Sequence, residues 1–68
     1  MSASVLLSVG ERIRCLRRQK RMTQRHLAEL SGLSRITIIN MEQGEKNVML
    51  SSLVAVAEVL GVNMRDLF

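Results

Sequence analysis

The sequence predicts an all-α fold of five short helices packed into one small domain. Its 68 residues include no proline and one aromatic residue, Phe68, whereas β-sandwiches and barrels normally depend on aromatic strand residues and turn prolines. Apolar residues recur at intervals of three and four, which is the spacing of helices that bury one face. A chain of this length buries too little surface for a deep catalytic cleft, so an enzyme is not expected.

The first helix is predicted over residues 8–21. Ser8 and Glu11 have the spacing of a capping box, in which each side chain accepts a backbone N–H at the start of the helix. The apolar stripe of this helix consists of Val9, Ile13 and Leu16. Residues 1–8 are accordingly predicted to be a flexible N-terminal tail, and residues 9–68 to form the domain.

Two short helices are predicted next, and a turn separates them. Thr23 is a suitable N-cap for the second helix, which ends where Gly32 can adopt a left-handed conformation. Ser34 caps the third helix, which extends to about Gln43 and stops at Gly44. Two helices joined by such a short turn form a helix-turn-helix, a motif that places its second helix in the DNA major groove.

A fourth helix and a short final turn complete the predicted bundle. Ser51 or Ser52 begins the fourth helix, and Gly61 ends it. Asn63 and Asp66 have the spacing of a cap for the last turn, where an acidic side chain also suits the helix dipole. The buried face of the fourth helix is predicted to consist of Leu53, Val56, Ala57 and Leu60.

Charge is distributed unevenly along the chain, which carries a net charge of +4. Residues 1–35 hold eight basic and two acidic residues, whereas residues 36–68 hold two basic and four acidic ones. A basic half favours a polyanionic partner, most simply nucleic acid. The alternative is a helix with a solvated charged face, and charge alone does not choose between the two.

The stretch from Thr23 to Gly44 carries a specific residue pattern. It contains Thr-Gln, Leu-Ala, Ser-Gly-Leu-Ser-Arg, a single Ile and Met-Glu-Gln-Gly, in that order. This pattern resembles the Xre/Cro-type, lambda-repressor-like helix-turn-helix family, and the similarity extends over residues 9–68 in one register. The resemblance implies a five-helix bundle that binds double-stranded DNA. It also implies that Arg17 and Glu42 form an ion pair that holds the third, recognition helix against the rest of the domain.

Base contacts are expected from this recognition helix. The family implies that its groove-facing residues are Arg35, Ile36, Thr37 and Asn40. Arg35 can donate two hydrogen bonds to guanine, and Asn40 can pair with adenine or bind phosphate. Ile36 stands where the family usually has a polar or small residue, and it can contact thymine methyl groups. Ile36 and Ile39 could instead form an exposed apolar strip for a protein partner, although packing of Ile39 against a neighbouring helix is the simpler interpretation.

Phosphate contacts are expected at the starts of the second and third helices and in the loop after Gly44. Helix N-termini offer backbone N–H groups to phosphate oxygens, and the resemblance assigns phosphate contacts to Gln24 and to the loop. The predicted phosphate contacts are Thr23, Gln24, Arg25, Ser34, Lys46 and Asn47. Further arginines on the first helix would add salt-sensitive attraction.

These features predict a sequence-specific regulator of transcription, most simply a repressor that occludes a promoter. A single small module makes few base contacts, so we expect a homodimer on a palindromic operator with half-sites about 34 Å apart. The candidate dimer interface consists of Val62, Met64, Leu67 and Phe68; the alternative is that these residues close the domain's own core. The alternative function is an antitoxin that binds a toxin protein and represses its own operon.

No cofactor, metal, membrane or small-molecule substrate is expected. Cys15 is the only cysteine, so neither an internal disulfide nor a structural zinc site can form, and a reducing cytoplasm is the expected compartment. No apolar run approaches the roughly 18 residues of a membrane span. His26 lies in a polar stretch and is predicted to be a solvated surface residue.

Overall fold

The computed structural model describes residues 2–68, which form four α-helices and a final 3-10 turn. The helices are α1 (Ala3–Gln19), α2 (Gln24–Ser31), α3 (Arg35–Glu42) and α4 (Leu50–Leu60), and the turn is Met64–Leu67. The predicted all-α class is confirmed, because no strand occurs within the described residues. The fifth predicted helix corresponds to the 3-10 turn.

Helix α1 begins earlier than the sequence predicts. Ser2 rather than Ser8 caps it, because the Ser2 hydroxyl accepts a 3.2 Å hydrogen bond from the backbone N–H of Val5. Ser8 and Glu11 lie inside α1 and so do not form a box at its start. Leu6 is buried, so the apolar stripe of α1 continues one turn towards the N-terminus and extends the helix.

This start corrects the prediction that residues 1–8 are a flexible tail. Residues 3–8 are helical, and residue 1 lies outside the described part of the chain. The local capping signal at Ser8 is overridden by the burial of Leu6, since tertiary packing contributes more to helix stability than local preference does.

The boundaries of α2 and α3 agree with the sequence. Thr23 caps α2, because its hydroxyl accepts a 3.0 Å hydrogen bond from the backbone N–H of His26. Ser34 caps α3 in the same way and accepts from the backbone N–H of Thr37 at 3.1 Å. Between the two helices, Gly32 adopts a left-handed conformation with φ of 72°, which a residue with a Cβ atom reaches only at a steric cost.

The last two elements show one difference from the prediction. Helix α4 begins at Leu50 rather than at Ser51 or Ser52, and no side chain caps it. The predicted cap of the final turn is present, since the backbone N–H of Asn63 donates to Asp66 Oδ2 at 2.9 Å.

All four helices and the final turn contribute to one hydrophobic core. Its fully buried side chains are Ile13, Leu27, Ile38, Met41, Leu53, Val56, Leu60 and Leu67. Helix α2 packs against both α3 and α4, and α1 packs against α3 and the final turn. These contacts hold α3 from one side and leave its outer side free.

The position of Leu67 corrects part of the predicted dimer interface. Its side chain is 0% exposed, because the final turn packs it into the domain's own core. Val62 and Met64 are half-buried against the same core, which is the alternative that the sequence left open. Phe68 is 51% exposed and is the member of the set that stays available to a second copy.

Candidate nucleic-acid interface

Helix α3 buries one face in the core, and the first turn of its opposite face is exposed to solvent. Ile38 points into the core and is fully buried. Arg35 and Ile36 lie at the start of the helix and are exposed, Ile36 to 69%. Thr37 and Asn40 are half-buried. All four predicted base-contacting residues therefore retain accessible surface on the outer part of α3.

Thr37 is held by the cap of its own helix. Its hydroxyl lies 2.8 Å from the Ser34 hydroxyl, and its backbone N–H donates to the same Ser34 oxygen. The helix cap thereby orients a predicted base contact. Ile39 is half-buried, so Ile36 is the main exposed apolar side chain of this helix.

A buried ion pair joins α1 to the end of α3. Arg17 Nε lies 2.7 Å from Glu42 Oε2, and Arg17 Nη2 lies 3.1 Å from Glu42 Oε1. Two parallel bonds of this kind match the guanidinium fork to the carboxylate. Arg17 Nη1 also donates to the backbone carbonyl of Met22 at 2.8 Å. The structure thus brings together the two residues that the family resemblance pairs, and ties the α1–α2 connection to them.

Glu42 is the centre of a polar network that is larger than this pair. Gln24 Nε2 donates to Glu42 Oε1 at 3.2 Å, and Arg14 Nε lies 3.5 Å from the same oxygen. Burial raises the pKa of the Glu42 carboxyl, but the hydrogen bonds from Arg17 and Gln24 outweigh this effect and leave that pKa below its ordinary value. Glu42 is therefore an ionised, fully engaged group at neutral pH.

The contact with Glu42 adds a role to Gln24, which the sequence predicts as a phosphate contact. One amide N–H of Gln24 is directed inwards to the carboxylate. An amide nitrogen carries two N–H groups, so the second one remains for a phosphate oxygen. Gln24 can in this way connect a bound phosphate to the ion pair that holds α3.

A cationic groove lies between α1 and the first turns of α2 and α3. It is lined by Arg14, Arg17, Arg18, Thr23, Gln24, Arg25, Arg35 and Glu42. The single acid is balanced by Arg17, so the other arginines leave the groove positively charged and attractive to a phosphate backbone. Arg14 and Arg18 are among the first-helix arginines that the sequence predicts to add salt-sensitive attraction, and both line this groove, as their spacing of four residues on one helix face allows.

A second recess lies beside α3 and the loop over residues 43–49. It is lined by Thr37, Asn40, Glu45, Asn47, Val48, Met49 and Ser52. The structure therefore places Asn47, a predicted phosphate contact, next to two predicted base contacts. Lys46 is exposed in the same loop but does not line the recess. Glu45 makes this recess less attractive to phosphate than the cationic groove is.

The described residues contain no cluster of three or more His, Cys, Asp or Glu side chains that could hold a metal ion. No helix within residues 2–68 is both long and apolar enough to span a membrane. His26 is exposed, as predicted.

Comparison with known proteins gives consistent matches over most of the chain. A family model described as helix-turn-helix matches residues 13–67. The chain is 40% identical over 58 residues to the immunity repressor protein of Bacillus phage phi105, and 37% identical over 59 residues to control protein C.SmaI of Serratia marcescens. These matches cover 85% and 87% of this chain. They cover 70% of C.SmaI but only 40% of the phage repressor, so the chain spans less than half of the latter.

Two solved structures have a similar fold. The restriction-modification controller protein C.AhdI from Aeromonas hydrophila matches with a TM-score of 0.89 at 38% identity, over 96% of this chain and 98% of that one. The clp gene regulator ClgR from C. glutamicum matches with a TM-score of 0.82 at 32% identity, over 93% of this chain and 82% of that one. The arrangement of helices is thus shared along nearly the whole length of this chain.

Proposed function

The chain belongs to the Xre/Cro-like helix-turn-helix family, and we propose that it binds double-stranded DNA sequence-specifically and regulates transcription. In this proposal α3 enters the major groove with its first turn foremost. The observation that supports it most is that the exposed start of α3 borders a groove lined by five arginines. Recognition of a duplex requires such a base-contacting element next to a surface that binds phosphates. The relatives come from a bacterium and a phage of bacteria, whose DNA lies in the bacterial cytoplasm, and we propose the same compartment for this chain.

Four side chains of α3 are proposed to contact bases. Arg35 would donate to guanine O6 and N7, and Asn40 would pair with adenine N6 and N7. Ile36 would pack against a thymine methyl group, because its exposed apolar surface is then removed from water. Thr37 would use the hydroxyl that Ser34 orients to contact a base edge or a phosphate.

Phosphates are proposed to bind in the cationic groove, at the helix N-termini and along the loop over residues 43–49. The proposed contacts are Thr23, Gln24, Arg25, Ser34, Lys46 and Asn47, to which the shape of the groove adds Arg18. The N-termini of α2 and α3 both lie at this surface, so their dipoles favour the same negative partner.

We propose that two copies bind one palindromic operator and act as a repressor. One copy offers few base contacts, and two copies on half-sites about 34 Å apart double them. Phe68 supports a contact between copies, because its apolar side chain is 51% exposed. A second exposed apolar set lies at the start of α4 and is the alternative site for this contact. It consists of Met49, Leu50 and Val54.

A second candidate function is supported by the 69% exposure of Ile36. An exposed apolar side chain on α3 could dock a toxin protein, as expected of an antitoxin that also represses its own operon. A specific protein that copurifies with the wild-type chain and is lost with Ile36→Ser would favour this candidate. Retention of the same partner by Ile36→Ser would remove the support that Ile36 gives it.

Selection of binding sites from a random duplex library at ~150 mM salt tests the proposed function. We expect a palindrome with a fixed spacing between its half-sites. Recovery of no enriched sequence, with binding that disappears as salt rises, would mean that the arginines attract phosphate without base recognition.

A further inference from the structure

We propose that Gly10 is a positioning residue, which lets α1 approach the last turn of α3 closely and so determines where the recognition helix stands. The effect on DNA rests on the proposed function. The effect on α3 itself can be measured in the free protein.

Gly10 lies in the interior of α1, where a glycine is destabilising relative to alanine. It is buried within regular helix, so no turn requires it. A Cβ atom at this position would lie 2.6 Å from the Met41 carbonyl oxygen and 2.7 Å from the Glu42 carbonyl oxygen. Both oxygens belong to the backbone of α3 and cannot rotate away. The two helices can therefore pack this closely only because residue 10 has no side chain.

Three further residues of α1, spaced by helical turns, contact the same end of α3. Leu7 packs on Gly44, where a Cβ atom would lie 2.9 Å from Leu7 Cδ2. Arg14 Nη2 donates to the Glu42 backbone carbonyl at 3.3 Å, and Arg17 binds the carboxylate of the same residue. One face of α1 thus holds the end of α3 through apolar packing, a backbone hydrogen bond and an ion pair.

The contact at Gly10 reaches the atoms that close α3. The Met41 carbonyl accepts the backbone N–H of Gly44 at 3.2 Å, and the Asn40 carbonyl accepts that of Glu45 at 3.0 Å. A Cβ atom on residue 10 would displace this turn and, with it, Asn40, a proposed base contact. Binding constellations work only when their side chains stay within about 0.5 Å of the productive geometry. A small displacement would therefore weaken base recognition more than general attraction to DNA.

The test compares Gly10→Ala with Ser8→Ala, which introduces the same residue at an exposed position of α1. Affinities for the selected operator duplex and for an unrelated duplex are measured at a temperature at which circular dichroism shows both variants folded. For Gly10→Ala we expect the ratio of these affinities to fall about tenfold, as for one lost base contact. Ser8→Ala should keep the wild-type ratio. An unchanged ratio in Gly10→Ala would overturn the proposal.

Arg14→Ala keeps the test decisive if Gly10→Ala does not fold. The Arg14 side chain is 39% exposed, so its removal leaves the core intact. Arg18→Ala is the matched control, because Arg18 lies on the same helix and lines the same cationic groove, whereas Arg14 also bonds to the end of α3. We expect Arg14→Ala to lower the affinity ratio further than Arg18→Ala does. Equal ratios would mean that charge alone matters, and the proposal would be overturned.

Amide hydrogen exchange in the free protein separates this proposal from the proposed function. We expect the N–H groups of Gly44 and Glu45 to exchange faster in Gly10→Ala and Arg14→Ala than in the two controls. If the wild-type chain prefers no duplex, the proposed function fails, and the exchange rates alone decide whether Gly10 positions α3. Unchanged exchange at both amides would overturn the proposal.

Discussion

Arg17 of α1 and Glu42 of α3 form a buried ion pair in which two guanidinium nitrogens face the two carboxylate oxygens, at 2.7 and 3.1 Å. Arg17 is 8% exposed and Glu42 is 2% exposed. The two residues are 25 positions apart, so the pair connects the first helix of the chain to the helix proposed to contact bases. Two charges removed from water offset each other only while both are present.

Removal of one partner is therefore expected to destabilise the fold. Glu42→Ala leaves Arg17 buried without its carboxylate, and we expect the free energy of unfolding to fall by about 3–5 kcal/mol. Urea denaturation followed by circular dichroism measures this change. Glu58→Ala is the control, since Glu58 is exposed on α4 and its loss should have little effect. An unchanged free energy of unfolding in Glu42→Ala would show that the pair does not stabilise the protein.

The lowered pKa of Glu42 predicts that part of this stability depends on pH. The folded pKa lies below the unfolded one, so the ionised carboxylate stabilises the fold fully above about pH 4.3 and loses this contribution as the pH falls through the folded value. Urea denaturation of the wild type and of Glu42→Gln at several pH values measures the difference in their stabilities. We expect this difference to shrink towards acid pH. A difference that stays constant would contradict the protonation argument.

Arg35→Ala is expected to relax specificity at one base pair. Loss of a two-point contact to guanine should cost roughly 1–3 kcal/mol on the selected operator. The same variant should lose little on an operator in which that guanine is replaced, because the contact is then already absent. Fluorescence anisotropy titrations with both duplexes measure the two losses. Equal losses would mean that Arg35, which borders the cationic groove, binds phosphate instead.

Arg18→Gln tests the cationic groove as a phosphate site. Removal of one phosphate contact should reduce the slope of log affinity against log salt by about 1 and weaken binding to all sequences alike. Arg65→Gln removes the same charge from the final turn, outside the groove, and should leave the slope close to that of the wild type. Identical slopes for the two variants would show that the groove has no special contact with DNA.

Phe68→Ser tests the contact proposed between two copies. In sedimentation-velocity experiments, we expect the dimer of this variant to dissociate at a higher protein concentration than the wild-type dimer does. Leu50→Ser is measured beside it, because Leu50 is 65% exposed in the competing apolar set on α4. Dissociation of Leu50→Ser with an unaffected Phe68→Ser would move the interface to α4. If the wild type is monomeric both free and on its operator, the proposed homodimer is excluded.

Local chemistry made some features of this fold predictable. The caps of α2 and α3 depend on Thr23 and Ser34, whose hydroxyls bond to the backbone three residues later. The end of α2 depends on Gly32, which reaches the left-handed conformation without a steric cost. Each of these signals acts within a few residues, so the sequence around it is sufficient.

Features decided by distant contacts were not predictable in the same way. The capping box at Ser8 is a valid local pattern, but burial of Leu6 against the rest of the domain extends α1 past it. Periodicity marks Leu67 as apolar without saying whether its own core or a second copy covers it. In the sequence, Gly10 is recognisable only as a residue that weakens a helix. The reason for a glycine there is the close approach of the α3 backbone, which is distant in the sequence.

The ability of α3 to distinguish DNA sequences is tested most directly by a comparison of two dissociation constants. One is measured for the operator obtained by selection, and the other for a duplex with the same base composition in scrambled order, both at ~150 mM salt. The proposed function predicts that the operator binds at least about a thousandfold more tightly. Equal dissociation constants would contradict it and leave only a basic surface that attracts phosphate.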